Sequence, residues 1–347
     1  MNVSQAMKIA KEWVEENANP IPGFYGAFFY GSVANMPKDA TYYTNKDVDI
    51  YIVMEDTKQV PFHQDKIMYK DVLLECVFHN AEELSSVDAV LSDPENAHNL
   101  FMGNIILDPK GLLRNLNQSI LKEYNHKKWV KARCEREKEW VLKNIQEMSE
   151  ERSSHEVFMK LWFSILYLAG VITVAHLRSP TVRRCLVLTK ELLCSHGKSE
   201  IHEDILKVFG SSLMGKSQID SYLKVCMQIY DRAAEIRKTP FYGDFNIHSY
   251  LHPYVFDGAR EMIDEGNHRE AVFWIAISHF LSYGVIINDG TEEEKQKYWS
   301  GLDDLLNGLG ISTPDDWQTR LQLAKNVVDK VFQFIDEVVE NNPNIKS

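Results

Sequence analysis

Cysteine is scarce in this chain, and the patterns that cysteine pairing or metal ligation would need are lacking. The five cysteines are an odd number in 347 residues, and they are widely spaced without a CxxC pair. This spacing speaks against a disulfide scaffold and against a thiolate metal site, and it predicts free thiols in a reducing compartment. They are Cys76, Cys134, Cys185, Cys194 and Cys226.

Long apolar runs are also lacking. The N-terminal segment MNVSQAMKIAKEWVEEN carries charges among its apolar residues, unlike a secretory signal. Residues 161–175 form the most apolar stretch, but a membrane span needs about 20 such residues, and Lys160 and His176 bound this one. We therefore expect a buried core helix there, no membrane association and a cytoplasmic location.

Positive charge is in short supply, since 38 basic residues face 50 acidic ones and the formal net charge is −12. An acidic surface repels the phosphate backbone that supplies most affinity for nucleic acid. The charge therefore disfavours nucleic-acid partners and favours cationic small molecules. P-loop, GxSxG and GxGxxG elements are missing, and the histidines form no HExxH spacing.

Hydrophobic periodicity divides the chain into a mixed part and a helical part. An amphipathic helix is predicted for residues 3–17, and strands are predicted for residues 24–30, 47–54 and 104–107. Two short strands flank a turn at Lys70-Asp71, and a helix is expected from Asn80 toward Leu91. The predicted fold class is α+β: a small mixed-sheet domain, residues 1–125, precedes a helical bundle domain, 126–240, and an additional C-terminal helical domain, 241–347.

Three acidic residues carry the chemistry in the mixed part. Side chains at i and i+2 of a strand share a face, so Asp47 and Asp49 point one way while Val48 and Ile50 point the other. Glu75 interrupts an otherwise apolar strand. Clustered carboxylates repel one another unless a cation neutralises them, and Mg²⁺ is held by carboxylates together with substrate phosphates. The three acids therefore predict a Mg²⁺-nucleotide site, although a DxD pair alone is equally typical of a solvated strand end.

Gly31-Ser32 ends the first predicted strand, 15 residues before Asp47. Gly31 allows a tight turn, and Ser32 with the following amides at a helix start offers donors for phosphate oxygens. A Gly-Ser pair by itself is usually only a turn. Combined with the three acids, it predicts nucleotide binding.

The pattern GS(x14)DVD followed by LLECVF resembles the nucleotidyltransferase superfamily. The runs DVLLECVFHNAEEL and HNLFMGNIILDPKGLL are similar to kanamycin nucleotidyltransferase, and the resemblance covers about residues 1–238. It implies that Asp47, Asp49 and Glu75 are catalytic and bind the metal, and that Gly31 and Ser32 bind the nucleotide.

The same resemblance implies a catalytic base at Glu139 and a nucleotide-binding lysine at Lys143, four residues later. The i,i+4 spacing places both on one helix face, where the Glu can take a hydroxyl proton and the Lys can meet the α-phosphate. An ordinary surface ion pair has the same spacing. Glu137 is the next candidate base.

The sequence therefore predicts a metal-dependent nucleotidyltransferase that moves a nucleoside monophosphate, AMP from MgATP, to a hydroxyl and releases pyrophosphate. The expected acceptor is a cationic, hydroxylated small molecule of aminoglycoside type, as in antibiotic resistance. Adenylylation of a protein, as by antitoxin-type enzymes, and a non-catalytic nucleotide-binding regulatory role remain alternatives. The resemblance also implies a homodimer, unless the C-terminal helices cover the same face within one chain.

Three departures from the kanamycin enzyme leave the acceptor open. The segment between Gly-Ser and DxD, VANMPKDATYYTNK, is longer, and a basic residue expected soon after Gly-Ser is absent. About 110 C-terminal residues have no counterpart.

Overall fold

The computed structural model describes residues 1–151 and 153–347. The chain forms two compact units. The first comprises Met1–Arg133 and Asn344–Ser347, and the second comprises Cys134–Pro343. The further division of the helical region near residue 240 stays a prediction.

A five-stranded mixed sheet forms the centre of the first unit. Its order is β3-β4-β2-β1-β5, with β2 and β4 parallel and the other neighbours antiparallel. This sheet, followed by helices, confirms the α+β class. The strands are β1 Phe24–Tyr30, β2 Val48–Met54, β3 Gln64–Tyr69, β4 Val72–Asn80 and β5 Ile105–Leu107.

The two faces of the sheet differ in chemistry, as the period of two along each strand requires. Val48, Ile50 and Ile52 of β2 point to a fully buried apolar core. That core also contains residues of the first helix, α1, Val3–Trp13, whose capping box at Asn2 and Gln5 fixes its start. The opposite face carries Asp49 and Tyr51. The predicted alternation is therefore confirmed.

A two-residue turn connects β3 to β4. Lys70 and Asp71 both have positive φ, 47° and 63°, the conformation of a tight hairpin turn. The turn fixes the pairing that begins with Tyr69 opposite Val72 and continues to Lys66 opposite Glu75.

The segment after β4 differs from the prediction of one helix. The capping box at Asn80 and Glu83 forms, but it starts a short 3₁₀ helix, Ala81–Leu84. Ser86 then caps a separate helix because its side chain accepts from the amide of Ala89 at 3.1 Å. The remaining α-helices of this part are α2 Gly31–Ala34, α3 Val87–Ser92, α4 Pro94–Met102, α5 Leu112–Glu123 and α6 Lys127–Met148, which continues into the second unit.

The second unit is helical throughout its regular structure. Its central pair is α10 with α12, and α14 packs against α7 and α9. Two helices, α7 and α12, are long and apolar enough to cross a membrane, but 72% and 83% of their apolar windows are buried inside the protein. The helices are α7 Ser154–Ala175, α8 Cys185–Ser195, α9 Ser199–Phe209, α10 Lys216–Ile236, α11 Gly258–Asp264, α12 His268–Asp289, α13 Glu292–Leu309 and α14 Pro314–Asn341.

All five cysteines are free thiols, as the sequence predicts, and Cys194 alone among them is exposed.

Candidate metal centre

Four polar side chains form a row across the sheet of the first unit. Lys66 pairs with Glu75 between β3 and β4, Glu75 pairs with Asp49 between β4 and β2, and Asp49 pairs with Tyr30 between β2 and β1. Side chains at paired positions lie on the same face. The register thus brings one base, two acids and a phenol together.

Asp47 joins this row from the residue just before β2. Ligand atoms of Asp47, Asp49 and Glu75 all lie within 4.8 Å of one another. Asp47 and Asp49 are 6% and 9% exposed, and the Glu75 side chain is 14% exposed. Burial of three acids at this distance is unfavourable unless positive charge accompanies them.

Lys66 supplies part of that charge, although its sequence context does not mark it as a site residue. Its Nζ donates hydrogen bonds to Asp47 Oδ2 and to Glu75 Oε2, and its side chain is 2% exposed. The other oxygen of Glu75, Oε1, accepts from Gln64 Nε2 at 2.5 Å. Both oxygens of Glu75 are therefore held by donors from β3.

The buried acids resist ionisation. Burial raises the pKa of Asp49 well above its ordinary value, and repulsion from Asp47 and Glu75 adds to the effect. Burial also raises the pKa of Glu75, although Lys66 opposes this. Burial and the charges of Glu75 and Asp49 raise the pKa of the Tyr30 phenol as well. The single positive charge of Lys66 therefore does not balance the negative charge that the three acids carry when they are ionised.

Gly31 lies directly against the acidic cluster. Its φ is 69°, and a β-carbon at this position would collide with Asp49 Oδ2. Only glycine fits both the conformation and the close approach. Ser32 is exposed and follows Gly31 within the four-residue helix α2. The Gly-Ser turn and Asp49 are thus neighbours, as the motif requires.

The long segment between Ser32 and Asp47 is fastened to the unit at two places. The amide of Val3 donates to Ala40 O at 2.9 Å, which ties the segment to α1. The Tyr42 hydroxyl accepts from the amide of Leu73 at 3.0 Å and donates to Lys46 O at 2.8 Å. These contacts fix the chain immediately before Asp47.

Aromatic rings continue the same face of the sheet beyond the acids. Tyr51 stacks between Phe28 and His79, with ring centroids 4.5 Å and 3.8 Å away. Nearby, desolvation and repulsion from Asp93, Glu75 and Glu83 raise the pKa of Glu95 to about 7. Glu95 keeps access to solvent. This face therefore combines flat apolar surface with an acid, Glu95, whose pKa is raised.

Glu139 and Lys143 lie on α6 within the second unit, and both are exposed. Lys143 pairs with Glu147 at 3.9 Å and lies over the ring of Trp140 at 5.0 Å. Among the residues that the structure describes, no ion pair joins Glu139 to Lys143. Glu137 is 7% exposed and packs under Gly170 of α7, where an added β-carbon would lie 2.7 Å from Glu137 Oε2. The catalytic roles of Glu139, Lys143 and Glu137 stay predictions.

The donor set of the cluster suits a hard divalent cation. Carboxylate oxygens are the ligands that Mg²⁺ and Mn²⁺ prefer. The carboxylates of Asp47, Asp49 and Glu75 lie close enough together to bind one such ion. Asp49 is buried and contacts the Glu75 carboxyl, and no amine, amide or hydroxyl of the described residues donates to it. Of the three acids, Asp49 is therefore the one whose oxygens are the most available to bind a cation.

Comparison with known proteins adds little to this geometry. No family model matches the chain, and no curated protein sequence matches it. Among solved structures, the chain is similar to a nucleotidyltransferase-like protein from Exiguobacterium sibiricum 255-15. That similarity has 14% identity and a TM-score of 0.32, and it covers 75% of this chain and 91% of the other. A similarity with this TM-score and identity does not by itself indicate a function.

Proposed function

We propose that this protein is a metal-dependent nucleotidyltransferase that transfers AMP from ATP to a hydroxyl of a small acceptor and releases pyrophosphate. The observation that carries the proposal is the meeting of Asp47, Asp49 and Glu75 within 4.8 Å beside the Gly31 turn. The resemblance of the GS(x14)DVD and LLECVF motifs to nucleotidyltransferases supports the same reaction.

The residues of the first unit bind and orient the nucleotide. Gly31 and Ser32 present their backbone and hydroxyl donors to phosphate oxygens, and Asp47 and Asp49, with Glu75, hold Mg²⁺. A bound Mg²⁺ neutralises charge on the phosphoryl oxygens and aligns the leaving group. The stacked ring of Tyr51 and its neighbours offers a flat surface on the same sheet face.

The transfer step is an in-line displacement. The acceptor hydroxyl oxygen forms a bond to the α-phosphorus, and the bond from that phosphorus to the β-phosphate oxygen breaks. Pyrophosphate leaves with the electron pair of that bond. Glu139 accepts the hydroxyl proton, and Lys143 binds the α-phosphate. General-base catalysis of this kind contributes about 10²–10⁴-fold to a rate.

The acceptor is proposed to be cationic. The net charge of −12 and the acidic sheet face, to which Glu95 and Glu83 add, favour a polyamine-like sugar over an anionic acceptor. An aminoglycoside combines the positive charge with several hydroxyl groups.

Pyrophosphate release tests the proposal. Purified protein is incubated with Mg²⁺, each nucleoside triphosphate and a panel of aminoglycosides and lincosamides. Asp49→Asn is the inactive variant, and Asp39→Asn, an exposed residue of the same unit, is the matched control. Acceptor-dependent pyrophosphate that disappears only in Asp49→Asn supports the proposal, whereas turnover that survives Asp49→Asn contradicts the role of the cluster.

Two other outcomes point to the alternatives. AMP incorporated into protein instead of into a small molecule would favour the antitoxin-type protein adenylyltransferase. Nucleotide binding without pyrophosphate release would favour a regulatory protein, an outcome to which Lys66 lends weight because it already neutralises part of the acidic cluster.

A further inference from the structure

Two acids of the cluster, Asp47 and Glu75, share the ammonium group of Lys66, as acidic ligands share metal ions in two-metal phosphoryl transfer. In such sites, two cations share the acidic ligands and stabilise the attacking and leaving oxygens. Building on the proposed function, we propose that Lys66 is a resident cation of this centre. The centre therefore binds one divalent ion in the absence of nucleotide instead of two.

The contacts of Lys66 support this role. Its ammonium group bridges Asp47 and Glu75, two of the three acids, and the Lys66 side chain is only 2% exposed. A lysine on a solvated strand extends its charge into water, because desolvating an ammonium group is costly. Lys66 instead points its charge inward, where two carboxylates satisfy it.

The charge of the cluster then matches one divalent ion. With all three carboxylates ionised, as metal binding requires, the cluster and the Lys66 ammonium group have a formal charge of −2. One Mg²⁺ or Mn²⁺ neutralises this charge, whereas a second would leave an excess of two positive charges in a buried place. Without Lys66 the three ionised acids would have a formal charge of −3. One divalent ion would reduce this charge to −1, so a second divalent ion would still be attracted.

The division of donors identifies where the single ion binds. Glu75 has donors on both oxygens, Lys66 on Oε2 and Gln64 on Oε1. Asp49 is 9% exposed, and its hydrogen-bonding side-chain partner is another acid, Glu75, which brings no positive charge. The ion is therefore expected on the Asp49 side of the cluster, and Glu75 is expected to serve mainly as the partner of Lys66.

The test is the number of Mn²⁺ ions bound per chain, measured without nucleotide by the electron paramagnetic resonance signal of free Mn²⁺. Wild type, Lys66→Met and Lys66→Arg are compared. Lys58→Met is the matched control, since Lys58 is in the same unit and its side chain is 86% exposed. We expect one ion for wild type, Lys66→Arg and Lys58→Met, and two for Lys66→Met.

The outcomes separate this inference from the proposed function. Two ions in wild type, or no more than one in folded Lys66→Met, would overturn the resident-cation role and leave the transferase proposal intact. No Mn²⁺ binding in wild type would overturn both. Circular dichroism verifies folding, and Lys66→Gln, which keeps an N–H donor without the charge, replaces Lys66→Met should that variant unfold.

Discussion

Lys66 lies directly opposite Glu75 on the β3–β4 hairpin, and its ammonium group bridges Glu75 to Asp47, the residue just before the neighbouring strand β2. This relationship sets the electrostatics of the centre. Asp47 and Glu75 are bonded directly to the Lys66 ammonium group, whereas no positively charged group is bonded to Asp49.

Asp49→Asn is expected to stabilise the metal-free protein. The folded pKa of Asp49 is raised, so the folded state holds its proton at pH values where the unfolded chain has lost it. Wild-type stability therefore falls as pH rises toward that raised pKa. The Asn side chain does not ionise, so the variant avoids this loss of stability. Its free energy of unfolding at neutral pH should exceed that of wild type by about 0.5–2 kcal/mol, as is common when a functional residue is replaced.

Urea denaturation with and without Mn²⁺ measures this effect. Wild type should gain stability from Mn²⁺, and Asp49→Asn should gain little. An Asn variant that is less stable than wild type without metal would show that Asp49 makes a stabilising contact instead.

Gly31→Ala is expected to damage both folding and metal binding. At a positive φ, an alanine costs about 1–2 kcal/mol by backbone strain alone. Gly111 has φ of 72° against 69° for Gly31, but the nearest atom to its added β-carbon is 3.9 Å away. Gly111→Ala is thus the control for strain, and the additional loss in Gly31→Ala measures the collision with Asp49.

Equal losses in stability for the two glycine variants, with unchanged Mn²⁺ affinity in both, would mean that the close approach of Gly31 to Asp49 does not shape the centre. Urea denaturation and Mn²⁺ titration provide the two readouts.

Glu139→Gln is expected to lower kcat for AMP transfer by about 10²–10⁴-fold with little change in nucleotide affinity, since it removes a base and not a phosphate ligand. Glu135→Gln is the matched control because Glu135 is also exposed and lies one turn earlier on α6. Steady-state kinetics distinguishes the variants. A wild-type kcat in Glu139→Gln would move the search for the base to Glu137 or Glu95.

Glu270→Gln is expected to weaken the second unit at neutral pH. Burial alone would raise the pKa of Glu270, but the hydrogen bond with His202 at 2.9 Å and the nearby Lys190 lower it to about 2. A lowered pKa adds stability above the unfolded value near 4.5, and that stability is lost as pH falls toward about 2.

The difference between wild type and Glu270→Gln should be about 3 kcal/mol at pH 7 and clearly smaller at pH 3. Urea denaturation at the two pH values measures it. A difference that does not depend on pH would assign the effect to packing instead of to charge.

Much of the first unit follows from local sequence patterns. The segment FYGAFFY forms the strand Phe24–Tyr30, and the alternation after Asp47 places the two acids on one face. The Asn80 capping box forms, although Ser86 interrupts the expected helix with a cap of its own. Competition between two nearby capping residues is not decided by periodicity.

Lys66 shows what local patterns leave out. A lysine in a strand is ordinarily a solvent-facing residue, so nothing in QDKIMY alone indicates burial. The turn contains the information that could have identified Lys66. If Lys70 and Asp71 are the two central residues of the turn, counting the paired positions outward from it places Lys66 opposite Glu75. The function of Glu139 has no such local marker, because exposed acids on helices are common.

The Lys70-Asp71 turn gives the centre a sensitivity to length as well as to composition. Because strand side chains alternate between faces, a one-residue insertion or deletion at this turn that shifted β3 against β4 would send Lys66 to the apolar side and bring Asp65 or Ile67 opposite Glu75. The length of a surface hairpin turn thereby sets the position of a buried positive charge. A change in the length of this turn would alter the electrostatics of the acidic cluster without replacing any of the acids.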